Sequence, residues 1–460
     1  MNAIKATLRD SRTARWTALV IVSFTMFAGY IFTDIISPMK PILERTYGWD
    51  STDFGIVTSA YGIFNVFFFM LILVGIFLDK FGIRFSTITS ALVMIIGAGI
   101  KYIAFKGGFS TTHEMNILGI WLIKDQVFFA ALGYAIFGVG CEYAGITVSK
   151  TIAKWFKGKE MALAMGMQVA IARIGSFVPL AFGAKLANTY DVPTTILFVV
   201  IALIIGLVAF FYYNLMDKKL EVQMDENPDK QPEEPFLFSD LYLIVSNRAF
   251  WLLSVLCVLF YGAVFPFYKY GPDLMVNKFG VSEDWAGFLP SLVPFGTMLL
   301  TPFFGGLYDK KGKGASIMIL GAFLLVIVHT IFMLPFVTSV VAVFFNVLLL
   351  GIAFSLVPSA MWPSVPKIIP EKQLGSAYAM IFWVQNIGLW GIPLLVGIIL
   401  DKTNPGVAAA KKAGENITYN YTTTWGIFVG LTIIALAVSF WLKAEDKRKG
   451  YGLELPNIQK

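Results

Sequence analysis

The chain has 460 residues, 57% hydrophobic and 14% charged, where soluble domains carry roughly 25% charged residues. That balance excludes a soluble globular protein, and apolar runs of about 20 residues rather than alternating ~10-residue segments exclude a transmembrane β-barrel. The net charge of +7 invites a nucleic-acid reading, but the loop distribution below assigns it to membrane topology. Cys141 and Cys257 are the two cysteines. Both sit inside apolar runs and offer neither a disulfide framework nor metal-ligand spacing, so no cofactor or metal is expected.

Twelve transmembrane helices are expected. In the first half they fall near 16–39, 53–78, 85–106, 126–154, 160–187 and 193–216, and in the second near 248–275, 284–308, 315–336, 339–368, 374–400 and 424–443. The first run, about Trp16 to Pro38, is too long for the apolar core of a signal peptide. The division is a six-helix bundle over 1–216, a linker over 217–247, a second bundle over 248–443 and a tail over 444–460. The linker is rich in Pro, Asp, Glu and Lys and reads as flexible. With the N-terminus inside, the cytoplasmic segments hold 23 Lys and Arg and the opposite loops 9. This asymmetry places both termini and the linker in the cytoplasm and makes a nucleic-acid partner unexpected.

Polar groups inside the spans are the candidate functional residues, because an embedded charge must face a partner or a wet cavity. Tyr30 and Asp34 lie in "GYIFTDIISP" at the outer end of span one. Asp34 reads equally as a gate or an interfacial cap. Lys101, late in span three, is expected to snorkel outward. Glu142, in "GCEYAG" of span four, and Arg173, in "ARIG" of span five, each lie about 15 residues from the connection at Lys157 and Gly158. At 1.5 Å per residue that is ~23 Å along each helix, so the two charges share a depth near mid-membrane. They form either a structural salt bridge or a clamp for a zwitterion. An extended dipeptide spans at most ~7 Å, and Arg suits its carboxylate through bidentate hydrogen bonds.

In the second half, Lys269 in "FPFYKYG" either lines the cavity opposite Glu142 or snorkels. His329 is expected to be buried and hydrogen-bonded. "VPSAMWPSVP", with Pro358, Pro363 and Pro366, reads as an inner gate or a static kink. Trp362 and Trp383 either shape a side-chain pocket or pack, and Gln385 and Asn386 either contact the peptide backbone or bridge helices. "NIT" at 416 and "NYT" at 420 are glycosylation sequons in an outward loop if the source is eukaryotic.

The halves repeat. "GIFLDKFGIR" from Gly75 and "GGLYDKKGK" from Gly305 share G-x-x-x-D-K-x-G. "ARIG" in span five is echoed by "QNIG" in span eleven. Two six-helix repeats with a site at their interface is the architecture of a rocking transporter. The motif at Gly75, Asp79, Lys80, Gly82 and Arg84 resembles the signature loop of the major facilitator superfamily. Its second copy at Asp309, Lys310 and Gly312 matches except that Lys313 stands near the usual arginine. The resemblance implies an all-α fold of twelve helices and a conformational role for this loop.

"WFKGKE", "ARIGS", "FYGAVFPF", "AMWPSVPKIIPEKQLGSAY" and "VQNIGL" further resemble the branch of that superfamily that carries dipeptides in animal lysosomes. This implies facilitated dipeptide transport without obligatory proton coupling, with Glu142 facing the peptide amino group and Arg173 its carboxylate. It also implies an accessory glycoprotein partner, for which the sequence marks no surface. No acidic dileucine precedes the first helix, so the plasma (inner) membrane is expected rather than the lysosome. Competing expectations are a proton-coupled peptide symporter and an organic-anion carrier of the same fold. The E-x-x-E-[RK] cluster of proton-coupled peptide carriers is missing from span one. An embedded enzyme is disfavoured, since H-E-x-x-H and G-x-S-x-G are both missing.

Overall fold

The structure is a computed structural model that describes residues 7–117, 119, 121–156, 159–225, 238–370 and 373–457. Of the expected linker over 217–247, residues 226–237 lie outside the described residues. The first half comprises α1 (Arg12–Asp34), α2 (Lys40–Tyr47), α3 (Ser51–Ser59), α4 (Ile63–Phe67), α5 (Met70–Ile103), α6 (Asp125–Phe156), α7 (Met161–Thr189) and α8 (Val192–Asp225). A hairpin of β1 (Glu114–Ile117) and β2 (Trp121–Lys124) joins α5 to α6. A short α9 (Phe238–Val245) precedes the second half. That half comprises α10 (Arg248–Phe279), α11 (Phe288–Lys311), α12 (Gly314–Met333), α13 (Val340–Ile368), α14 (Leu374–Thr403), α15 (Val407–Lys412) and α16 (Thr422–Lys449).

Among the described residues eleven helices are long and apolar enough to cross a membrane. The twelfth crossing is made in pieces. Where one helix was expected over 53–78, the chain forms α3, a 3-10 turn at Ala60–Gly62, α4 and the start of α5. Phe69 breaks this path with φ 52°. The carbonyl of Val66, freed by the break, accepts from Trp383 Nε1 of α14 at 3.0 Å. A neighbouring helix thus satisfies the backbone group that the interruption exposes. The expected second and third spans meet at Gly82, which bends α5 with φ 78° and ψ 175°. Span six also runs past residue 216, to Asp225. Lys154–Asp217 at 2.8 Å, Arg84–Glu221 and a bond from Leu8 N to Gln223 Oε1 at 2.8 Å hold that extension.

The sequence repeat has a structural counterpart. Gly82 and Gly312, the last glycines of the two motif copies, both take positive φ, 78° and 72°, which only glycine adopts cheaply. Gly175 of "ARIG" packs against α1, where a Cβ would lie 2.6 Å from the Phe27 carbonyl oxygen. Gly388 of "QNIG" packs likewise against α10, 3.1 Å from that of Val258.

Both ends of the described chain lie on the face that carries these glycine turns. Lys313 N bonds Glu454 O at 2.9 Å, and Asn457 bonds Asp309 at 2.8 Å. The halves meet through α3 on α14 and α7 on α11, and the firmest seams lie toward the opposite face. There the backbone N–H groups of Ser51 and Thr52 donate to Asp401 at 3.0 and 2.5 Å, and Gly287 is pressed against the carbonyl of Leu180.

The tightest crossing inside a half is α5 on α6. A Cβ on Gly97 would lie 2.3 Å from Phe137 N and 2.5 Å from Gly133 O, whereas one on Gly99 would meet nothing within 4 Å. Gly97→Ala is therefore expected to destabilise the protein by ~1–3 kcal/mol, the usual cost of overpacking. Gly99→Ala should leave its melting temperature unchanged or slightly raised. Thermal unfolding of the two purified variants measures the difference.

Candidate functional site

Glu142 and Arg173 line one cavity of ≈ 270 Å³, together with Tyr30, Met26, Leu71, Gln168 and Phe382. Two glycines put them there. Gly138, one turn before Glu142 on α6, lets the Tyr61 carbonyl approach to where a Cβ would be only 2.3 Å away. That brings the Tyr61 hydroxyl to Glu142, to which it donates at 2.9 Å. Gly175, two residues after Arg173, admits α1 close enough that its own Cβ would lie 2.9 Å from Tyr30 Cβ. Tyr30 and Arg173 therefore face the same space. From the two charges the cavity extends toward the termini, past Ile146 and Ser149 on α6 and Val169 and Gln168 on α7.

Among the described residues no ion pair joins Glu142 to Arg173. Glu142 rests on Tyr61. One guanidinium nitrogen of Arg173, Nη1, is buried without a hydrogen-bond partner. Arg173 lies over the Phe354 ring of α13, 5.4 Å from its centroid, a cation–π contact between the halves. The wall that the second half contributes is aromatic. Phe354 packs with Tyr261, Phe265 and Tyr268, and Phe382 at the cavity surface is backed by Trp362 at 5.0 Å. The cavity thus has a charged side and an aromatic side.

Trp362, Gln385, Asn386 and Lys269 are not among the cavity-lining residues. Trp362 donates to the Tyr261 hydroxyl at 3.1 Å, one ring behind the surface. Asn386 donates to Phe382 O of its own helix at 2.9 Å, and Gln385 lies 3.9 Å from Cys257 Sγ. Lys269 neither lines this cavity nor snorkels. It is buried and donates to Asp34 Oδ1 at 2.7 Å and to Thr33 O at 2.6 Å. Asp34 is accordingly a partner across the seam rather than a cap. Lys101 also departs from expectation. It is fully buried instead of snorkelling, with its amine among Tyr134 and Phe32. His329 is buried with both ring nitrogens unbonded and stacks on Phe428 at 5.3 Å, so it packs as an aromatic ring. The prolines of "VPSAMWPSVP" lie within one helix, α13.

The motif loops sit on the termini face. Asp79 pairs with Lys150 of α6 at 2.8 Å, and Arg84 with Glu221. Lys80 lies 5.5 Å from the Phe81 ring centroid. Gly75 has open space around it. Lys310 closes α11 just before the Gly312 turn. All these pairings stay within one half.

Between described residues, the ion pairs that join the halves lie at the opposite face. Lys40 bonds Glu44 and, across the seam, Asp273 at 3.0 Å. Tyr421 donates to the same Asp273. Lys411 approaches Glu44 at 3.5 Å and donates to Asn277 at 2.8 Å. Lys40, Glu44 and Asp273 are buried. Arg45–Glu283, at 3.1 Å, is the exposed rim of this cluster. Sequence reading missed Tyr61, Phe354, Phe382 and the Lys40 cluster. The tyrosine and phenylalanines carry no signal among so many aromatics. The Lys40 cluster had one, since Lys40, Glu44 and Asp273 are charges at one expected depth.

The Major Facilitator Superfamily model matches residues 22–393 and 271–456. The lysosomal dipeptide transporter MFSD1 of Mus musculus is 30% identical over 87% of this chain and 83% of its own length. The protein of that name from Danio rerio is 27% identical over 84% and 81%. Their names place these relatives in lysosomes, which does not favour the plasma membrane expected above. Among solved structures, the nucleoside transporter NupG superposes with TM-score 0.66 at 16% identity, covering 92% of this chain and 99% of that one. The D-xylose-proton symporter superposes at 0.67 and 15% identity, with coverage of 92% and 97%.

Burial separates the two classes of ion pair. Asp273→Ala leaves the Lys40 ammonium with one fewer counter-charge in a dry site, and an expected loss of ~3–5 kcal/mol follows. Glu283→Ala removes only the exposed pair and should cost below ~1 kcal/mol. Chemical or thermal unfolding of each variant in the same detergent provides the comparison.

Proposed function

The chain belongs to the Major Facilitator Superfamily, and on that footing we propose that it moves dipeptides across its membrane by alternating access, as a facilitative carrier. The observation that carries this reading is the separation of Glu142 and Arg173 on one cavity wall. Each is held by a neutral partner, Tyr61 or the Phe354 ring, rather than by the other. A buried cation with an unbonded nitrogen is poised for an anion, and a guanidinium takes a carboxylate bidentately. The peptide carboxylate would dock on Arg173 and its ammonium on Glu142, with Tyr61 released to the peptide or kept on the second carboxylate lone pair. The two terminal charges fix orientation and length. The ring of Phe382, backed by Trp362, then receives side chains of varied size without demanding a particular one.

The same contacts supply the transport step. In this state the halves are fastened by the Lys40–Asp273 and Lys269–Asp34 pairs at the face opposite the termini, and the cavity extends toward the termini. The Lys and Arg count assigns the termini side to the cytoplasm, so the site here faces inward. The Asp79 and Asp309 loops, on that side, would fasten the halves when the seam reverses. Sequence similarity to proteins named lysosomal dipeptide transporters supports the substrate class.

Dipeptides are expected to raise the melting temperature of the purified protein, because a ligand that binds only the folded state stabilises it by mass action. Single amino acids and tetrapeptides should not. Counterflow uptake of a labelled dipeptide into proteoliposomes should survive collapse of the pH gradient. Uptake that vanishes with the gradient would establish a symporter instead, and no response to any dipeptide would overturn the reading altogether. Arg173→Ala should lower dipeptide affinity ~10- to 100-fold, the worth of a charge-assisted hydrogen bond, while leaving folded protein.

A further inference from the structure

Three buried ionisable groups, Asp34, Lys269 and Lys101, stand outside the cavity, near the face opposite the termini. Lys269 of α10 bonds Asp34 Oδ1 at 2.7 Å. Lys101 of α5 is fully buried and its Nζ has no hydrogen-bond partner. The Lys101 ammonium lies 3.9 Å from the Tyr134 ring centroid and 5.0 Å from that of Phe32. The groups are contiguous. The Tyr134 hydroxyl donates to Thr33 O at 2.7 Å, and Lys269 donates to the same carbonyl at 2.6 Å. Asp34 and Lys269 both act electrostatically on Lys101. One carboxylate therefore stands among two lysines and satisfies only one of them.

The division of these residues between the halves gives the arrangement its meaning. Phe32, Thr33 and Asp34 belong to α1, Lys101 to α5 and Tyr134 to α6, all in the first half. The close α5–α6 crossing at Gly97 and Gly133 fixes Lys101 beside Tyr134. Lys269 alone belongs to the second half. Any rigid-body motion that parts the halves at this face withdraws Lys269 from Asp34 but leaves Lys101 in place.

We propose that Asp34 changes partner during the transport cycle, held by Lys269 while this face is closed and taken by Lys101 when it opens. A carboxylate left alone in a low-dielectric site is costly, and that cost would resist opening. Lys101 removes it. In the closed state the lysine without a counter-charge is Lys101, cushioned by two aromatic faces. In the open state it is Lys269, which then borders water. Asp34 thus stays in a buried ion pair in both states, which lowers the cost of the rocking motion at this carboxylate. Lys101 is a positioning residue for this motion and touches no substrate. The inference rests on the alternating-access part of the proposed function and not on the dipeptide.

The test reads conformation without any substrate, so it can fail independently of the dipeptide assays. Leu180 is buried beside Gly287 at the closed seam. In full-length protein carrying Cys141→Ala, Cys257→Ala and Leu180→Cys, labelling by a hydrophilic maleimide reports opening of this face. Lys101→Met is expected to slow labelling at least ~5-fold, because the open state loses its partner for Asp34. The same substitution in an Asp34→Asn background should change nothing. Unchanged labelling in the native background, or an equal effect in both, overturns the proposal. Should Lys101→Met fail to fold, Lys269→Met decides. With exchange it folds with a near-native melting temperature and labels several-fold faster, because Lys101 takes Asp34. Without exchange it leaves Asp34 unpaired, and a large fall in melting temperature contradicts the proposal.

Discussion

A charge inside a membrane protein must be paired, hydrogen-bonded or wetted, and that constraint organises this molecule more than any other. Two groups of embedded charges follow from it, and Lys101 stands apart from both among aromatic rings. One group is paired across the seam between the halves, at a single face: Lys40 with Asp273, and Lys269 with Asp34. The other lines the cavity and is left to neutral partners: Glu142 with Tyr61, and Arg173 over Phe354. On the proposed reading, the first group sets which side is closed and the second what the cavity receives.

The glycines make this charge distribution buildable. Gly138 and Gly175 bring a tyrosine toward each cavity charge by removing the Cβ that would hold the Ala60–Gly62 turn and α1 away. Gly97 and Gly133 seat α5 in direct backbone contact with α6. The broken second span has a similar logic. Its interruption at Phe69 exposes the Val66 carbonyl, and Trp383 of the other half accepts the task of satisfying it. A mobile seam can tolerate such a contact because a single hydrogen bond is worth only ~0.5–1.5 kcal/mol net.

Much of the fold was legible in the sequence because hydropathy and the duplicated G-x-x-x-D-K-x-G motif act over long stretches. The motif's last glycines, Gly82 and Gly312, both take the positive φ that justifies their presence. Depth arithmetic placed Glu142 and Arg173 on one cavity, because helix rise converts sequence distance into height. It could not place Lys101 or Lys269, because height says nothing about azimuth. Lys101 turned inward onto two rings, and Lys269 turned to Asp34. The helical break at Phe69 was illegible for another reason: no proline marks it, and the donor that satisfies its exposed carbonyl lies on α14. Gln385 and Asn386 were named through the repeat with Ala172 and Arg173. Their helix is equivalent, yet their side chains bond within the second half.

The central claim is that Glu142 and Arg173 receive opposite ends of one small zwitterion. A structure of the protein bound to a dipeptide tests it most directly. The account predicts the peptide carboxylate bidentate on Arg173, its ammonium on Glu142, and its side chains toward Phe382. A dipeptide bound elsewhere, with Glu142 and Arg173 paired to each other, would contradict it.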